Sequence, residues 1–172
     1  MTPTLTPVPY EQFLADVRAL AVIIRDGGWR PDYIVGIGRG GLVPAAYLSH
    51  ALDLPLLSVD FSAGVPCFGQ DLLVRIAERS HGGEKLLIVD DINDSGRTLA
   101  ALRAAVDAAG GDPANLRTAV TITNIRSTQQ VDYAARQIDR DVVKDWFVFP
   151  WEAMKDDGAL IADANAVPER IA

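Results

Sequence analysis

LLIVDDINDSGRT, residues 86–98, joins an unbroken aliphatic run to two adjacent carboxylates, a third carboxylate and a turn of small residues. Leu86, Leu87, Ile88 and Val89 carry no polar break, the pattern of a parallel strand buried on both faces. Asp90 and Asp91 are therefore expected at its carboxyl end. In open α/β sheets that edge is where ligands bind.

Beyond the acids, Asp94, Ser95, Gly96, Arg97 and Thr98 supply backbone donors, hydroxyls and one glycine, and residues 99–109 read as a helix. The first turn of a helix has unpaired N–H groups and the positive end of the dipole, which favour a nearby anion by about 0.3 to 1 kcal/mol at exposed sites. Gly96 lets the backbone approach a phosphate. Because strand side chains alternate, Asp90 and Asp91 are expected to point to opposite faces. A plainer account makes Asp94 or Ser95 a helix N-cap and the acidic pair solvated loop residues. Three carboxylates beside an anion cradle repel the anion, however, unless a hard cation such as Mg²⁺ joins them through oxygen ligands.

Working outward, 172 residues fit one domain, which at this size buries about 70% of its unfolded surface. A net charge of -7 argues against a nucleic-acid surface, which needs clustered Lys and Arg. The single cysteine, Cys67, excludes an internal disulfide and a Cys-rich zinc site. With no signal peptide or long apolar span, no membrane partner and a cytoplasmic location are expected.

Residues 1–9, with three prolines, are expected to be a loose arm. From Tyr10, the positions Phe13, Leu14, Val17, Leu20, Ala21 and Ile24 follow helical spacing, and Gly27 and Gly28 stop the helix. Strands are expected at 33–37, 56–59, 85–89 and 117–122, with helices at 42–52 and 99–109. This is an α/β chain with a largely parallel central sheet flanked by helices. Residues 62–84, with Gly64, Gly69, Gly82 and Gly83 around a helical turn at 71–79, read as a flexible lid. Arg75 and Arg79 could reach a ligand from it.

A second glycine-rich turn fits G-x-G-x-x-G at Gly36, Gly38 and Gly41, with Asp60 roughly 20 residues on, as in a dinucleotide fold. A dinucleotide site has no need of residues 90–98, and no substrate domain follows. The glycines could also serve only to pack a helix tightly.

Residues 86–98 closely resemble the 5-phosphoribosyl 1-diphosphate (PRPP) signature of type I phosphoribosyltransferases. The segments IVGIGRGGLVPAAYL and VDYAARQIDRDVVKDWFVFPWE resemble the small bacterial xanthine-guanine and hypoxanthine-guanine enzymes, so the resemblance spans roughly residues 33–152. It implies the type I phosphoribosyltransferase fold, a lid over the reacting sugar and a small C-terminal base-binding hood, within residues 131–172. It also implies Mg²⁺ as cofactor, PRPP and a purine base as substrates, and a homo-oligomer, dimer or tetramer.

By that resemblance, Arg39, Gly40 and Gly41 bind the diphosphate, and relatives carry a non-proline cis peptide that would correspond to Gly38–Arg39. Asp90 and Asp91 meet the ribose hydroxyls and the metal, and Asp94 to Thr98 hold the 5-phosphate. Asp94 takes the proton from the purine. Trp146 stacks on the base, while the backbone of Phe147 and the carboxylate of Glu152, where the family usually has Asp, read its two-position edge.

One departure concerns base choice. The family usually sets a lysine after the strand at 117–122 against the six-position oxygen, and residues 121–133 hold none. Asn124 or Arg126 would have to replace it, and an asparagine both donates and accepts. The reading is transfer of a phosphoribosyl group from PRPP to guanine, xanthine or hypoxanthine. Its alternatives are a regulator that binds PRPP or a nucleotide without turnover, and an enzyme for an unusual base. His50 and His81 lack partners at metal spacing, and Cys67 lacks an adjacent base.

Overall fold

The computed structural model describes residues 3–59 and 68–167. Five parallel strands make the central sheet in the order β3-β2-β4-β5-β6: β2 (Tyr33–Ile37), β3 (Leu56–Val59), β4 (Leu86–Asn93), β5 (Leu116–Asn124) and β6 (Tyr133–Ile138). Helices α1 (Tyr10–Asp26) and α2 (Gly38–Leu52) cover one face, and α3 (Phe68–His81) and α4 (Arg97–Ala108) the other. The alternation of β4 divides the core in two. Leu87 and Val89 pack with Phe13, Leu20 and Leu48, whereas Leu86 and Ile88 pack with Ile76, Leu102 and Val106. No helix among the described residues is long and apolar enough to cross a membrane.

Helix α1 begins and ends where its spacing predicts, and its buried stripe includes one charge, Asp16. Arg136 on β6 pairs with that carboxylate at 2.9 Å, and Gln12 donates to it.

Four expectations change. The N-terminal arm is partly ordered: β1 (Leu5–Pro7) pairs in parallel with β7 (Trp146–Val148), and Thr6 Oγ1 donates to Asp145. Prolines suit such an edge strand, whose outer side needs no donors. Second, the helix expected from residue 42 starts at Gly38, directly on the end of β2, and carries Pro44 within it.

Third, residues 68–81 of the expected lid are a core helix. Leu73, Ile76 and Ala77 are buried, and Ser80 Oγ accepts the Asp112 N–H. The 73-76-77-80 stripe is helical spacing that the flanking glycines obscured. The start of the expected lid, at 62–67, lies outside the described residues, and Cys67 with it. Fourth, the region from 131 onward is not all hood, since β6 completes the main sheet. Past β7 come a 3-10 turn, Pro150–Met154, and α5 (Asp157–Asn165).

Candidate active site

The chain passes from β2 outward to β3 and from β4 outward to β5 and β6, so the order of strands reverses between β2 and β4. A crevice opens at the carboxyl ends of strands at such a reversal. Pairing of β2 with β4 stops at Gly36 opposite Val89, while β4 runs on beside β5 to Asn93 opposite Thr123. Asp90 and Asp91 are thus inside a strand that is longer than expected. One edge of that stretch faces the start of α2.

The two acids diverge as alternation requires. Asp91, in phase with Leu87 and Val89, lies against α2: a Cβ on Gly40 would collide with its Oδ2 and sit 2.8 Å from its Cγ. Asp91 Oδ1 accepts the Ile92 N–H at 2.6 Å, and Asp90 Oδ1 accepts the Asp91 N–H at 3.0 Å. Beneath them, a Cβ on Gly41 would run into the Val89 carbonyl oxygen, and one on Gly36 would be 2.8 Å from Leu42 Cα. Gly36 and Gly41 therefore let α2 press onto β2 and β4. The Gly38–Arg39 peptide is trans, with Gly38 at φ +56°.

A cavity of about 540 Å³ fills the crevice. Arg39 and Gly40 line it on one side, Asp90, Asp91 and Thr98 on another, and Trp151, Glu152 and Lys155 on the third. Gly41 is buried beneath the lining. Carboxylates, a helix start and cations from two segments therefore share one concave space, suited to a polyanion bound with a cation.

The turn into α4 adjoins it as a recess lined by Asp90, Asp94, Ser95, Gly96, Arg97 and Thr98. Gly96 stands at φ +88°, where a side chain is strained. The β5–β6 connection also packs on it, and a Cβ would come 2.7 Å from Thr128 Oγ1. Thr128 holds the turn from outside by donating from its N–H and its hydroxyl to the Ser95 carbonyl. The first helical bond runs from Ala100 N–H to Gly96 C=O, and the Arg97 N–H just before it donates to Ser95 Oγ.

Asp94 is not an open loop carboxylate. It is buried, and Arg140 brackets it with Nε 2.9 Å from Oδ1 and Nη2 2.7 Å from Oδ2. Sequence reasoning missed Arg140, which stands 46 residues away in the β6–β7 connection. Flanked by Asp139 and Asp141, it reads in sequence as an ordinary solvated charge, so nothing local marked it.

The aromatic segment divides differently from expectation. Trp146 and Phe147 sit on β7, paired with β1, and are not among the cavity-lining residues; Trp151, Glu152 and Lys155 are. Glu152 Oε2 accepts the Phe149 N–H at 3.0 Å, capping the 3-10 turn that carries Trp151 and Glu152 and is followed by Lys155. Lys155 pairs with Asp163 of α5.

Neither substitute for the absent lysine faces the cavity. Asn124 donates to the Asp94 carbonyl and accepts from the Arg126 and Arg140 amides. Arg126 is exposed and pairs with Asp139 and Asp141, and its hydrogen bonds hold the Asp139 carboxyl below its ordinary range. On α3, Arg79 pairs with Glu84 and lies 4.7 Å over Tyr33, at the opposite end of β2 from the crevice. Arg75 lines a surface hollow beside it, so neither arginine reaches the cavity.

The donor set also tests the metal. Among the described residues no cluster of three metal-ligating side chains occurs. Two carboxylates on an open cavity wall suit Mg²⁺, which takes one or two carboxylates and completes its shell with substrate oxygens and water. Asp90 and Asp91 would hold it.

A family profile described as a phosphoribosyl transferase domain matches residues 9–157. The chain is 28% identical over 148 residues to a xanthine-guanine phosphoribosyltransferase of Nitratidesulfovibrio vulgaris, covering 86% of this chain and 84% of that protein. Among solved structures, a purine phosphoribosyltransferase from Pyrococcus horikoshii is similar with a TM-score of 0.64 and 27% identity, over 88% of this chain and 97% of that one. The Helicobacter pylori xanthine-guanine-hypoxanthine enzyme shares the fold at 19% identity and a TM-score of 0.65, over 97% and 99% of the two chains. The dinucleotide reading falls with this match, and the glycines of the first turn have their packing explanation. By its strand order, its switch-point crevice and the profile that spans most of its length, the chain belongs to the phosphoribosyl transferase domain family.

Proposed function

We propose that this protein transfers the 5-phosphoribosyl group of PRPP to a ring nitrogen of guanine, xanthine or hypoxanthine, releasing diphosphate. The observation that carries the reading is the 540 Å³ crevice in which Arg39 and Gly40, the two acids of β4 and Thr98 face one another. The names of the relatives support a 6-oxopurine acceptor.

The backbone and Arg39 at the start of α2 take the diphosphate, and the turn 94–98 takes the 5-phosphate on its amides and hydroxyls. Asp90 and Asp91 take the ribose hydroxyls. Asp90 and Asp91 would hold Mg²⁺, which would supply charge neutralisation of the leaving group. As the purine nitrogen bonds to the anomeric carbon, the bond to diphosphate breaks, and the carboxylates stabilise positive charge building on the sugar. Asp94 accepts the proton that the purine loses. Trp151 and Glu152, which line the crevice where Trp146 and Phe147 do not, hold the base.

Incubation with Mg²⁺, PRPP and a panel of bases, with diphosphate release measured, tests this. Release with a 6-oxopurine and its loss on chelation support the reading. PRPP binding with no release on any base would point instead to a regulator. The same reading carries a homo-oligomer in the cytoplasm, checked by light scattering and cell fractionation.

A further inference from the structure

Arg140 is the buried cation among the described residues, 7% exposed, and its partner Asp94 is 4% exposed. Removing two such charges from water costs several kcal/mol each unless the geometry is good and the remaining donors are satisfied, and apolar residues often do as well. A charged pair retained here calls for a role that packing does not supply. Every nitrogen of Arg140 donates to a partner. Nε and Nη2 bracket Asp94, Nη1 reaches the carbonyls of Val143 at 3.2 Å and Asp145 at 2.6 Å, and the backbone N–H donates to Asn124 Oδ1. The guanidinium carbon lies 5.3 Å from the centre of the Phe147 ring. Asn124 closes the ring of contacts by donating to the Asp94 carbonyl at 3.1 Å.

These contacts join three segments distant in sequence: the end of β5, the phosphate turn, and residues 143–147 leading into β7. We infer that Arg140 is a positioning residue for the transfer, holding the Asp94 carboxylate and the segment that carries Trp146 and Phe147 as one unit. It rests on the proposed function, since that reading gives Asp94 a proton to accept and the 3-10 turn that follows β7 a base to hold. The guanidinium engages both Asp94 carboxylate oxygens, and Asp94 is one of the residues that line the recess. It fixes orientation, which transfer needs and general stability does not.

The test is a double-mutant cycle read in turnover, with the melting temperature of each variant recorded alongside. Arg140→Met is expected to lower kcat about 10²-fold, the scale of a misplacement near 1 Å, with KM for PRPP changed less than about threefold. In an Asp94→Asn background the same change should cost less than about twofold. Arg140→Lys keeps the charge without the bracket and should lose about tenfold in kcat at a melting temperature near that of the parent; it carries the cycle if Arg140→Met does not fold. Added guanidinium ion should recover part of the turnover of Arg140→Ala. An equal loss with Asp94 and with Asn at position 94, or kcat, KM and melting temperature falling together in Arg140→Lys, overturns the inference and leaves the function standing. A wild-type protein that binds PRPP but transfers to no base overturns both.

Discussion

The two glycine-bearing turns at the carboxyl edge of the sheet look alike in sequence and use glycine for different reasons. In the turn entering α2, Gly36, Gly40 and Gly41 are small because other groups lie against them: the helix itself, the Asp91 carboxylate and the Val89 carbonyl. In the turn entering α4, Gly96 is needed for its backbone conformation, φ +88°, as well as for the loop pressing on it. The first turn is a matter of close approach, the second of chain direction as well. A glycine pattern alone therefore does not identify a cofactor, because close packing and phosphate binding both select it.

Substitutions separate these causes. Gly41→Ala forces a side chain into backbone of β4, which cannot give way, so a loss of about 3 kcal/mol is expected in a denaturant midpoint. A midpoint unchanged in Gly41→Ala would mean that α2 does not lie this close to β4. Asp94→Asn, in the second turn, should lower kcat roughly 10²-fold while PRPP affinity by calorimetry is little changed; equal turnover removes Asp94 from proton transfer. Gly96→Ala combines a strained φ with the contact to Thr128 and should cost about 2 kcal/mol of stability.

Gly40→Ala is the sharpest divider, because the atom it meets is the end of a side chain. Asp91 can rotate away, so stability should change by less than about 1 kcal/mol. Affinity for PRPP with Mg²⁺ should fall about tenfold, since the carboxylate is moved from the crevice. Stability lost in Gly40→Ala without any change in affinity would assign Gly40 to packing alone.

The smallest effect lies outside both turns. Arg126 depresses the pKa of Asp139, so the pair stabilises the fold above the ordinary carboxylate range and that contribution disappears as pH falls through the lowered value. Asp139→Asn should therefore lower the melting temperature slightly at pH 7 and not at all at pH 2, an exposed pair being worth little.

Legibility followed the range of the contacts. The run 86–89, the alternation of Asp90 and Asp91 and the helix after Gly96 were readable because each depends on neighbours within a few residues. The extension of β4 to Asn93 was not, because it depends on hydrogen bonds to β5, which polar side chains on β4 do not advertise. Helix α3 was half visible through its 73-76-77-80 stripe and was obscured by surrounding glycines. Residues 1–9 read as loose because a three-residue strand has no periodicity of its own, and β1 exists only through β7. In the C-terminal segment, Glu152 and the aromatic run stand out by resemblance, but which aromatics border the cavity depends on the 3-10 turn at Pro150–Met154.

By itself, the order of residues determined the α/β class, the place of the turn at 94–98 beyond a strand's end and the family, since these depend on local periodicity and on one contiguous motif. Only the folded chain decided that Asp91 rests on Gly40, that Asp94 is bracketed by Arg140, and that Asn124 and Arg126 are turned away from the cavity. Those pairings join residues many positions apart, and a charged side chain carries no mark of its partner until packing removes water from around both.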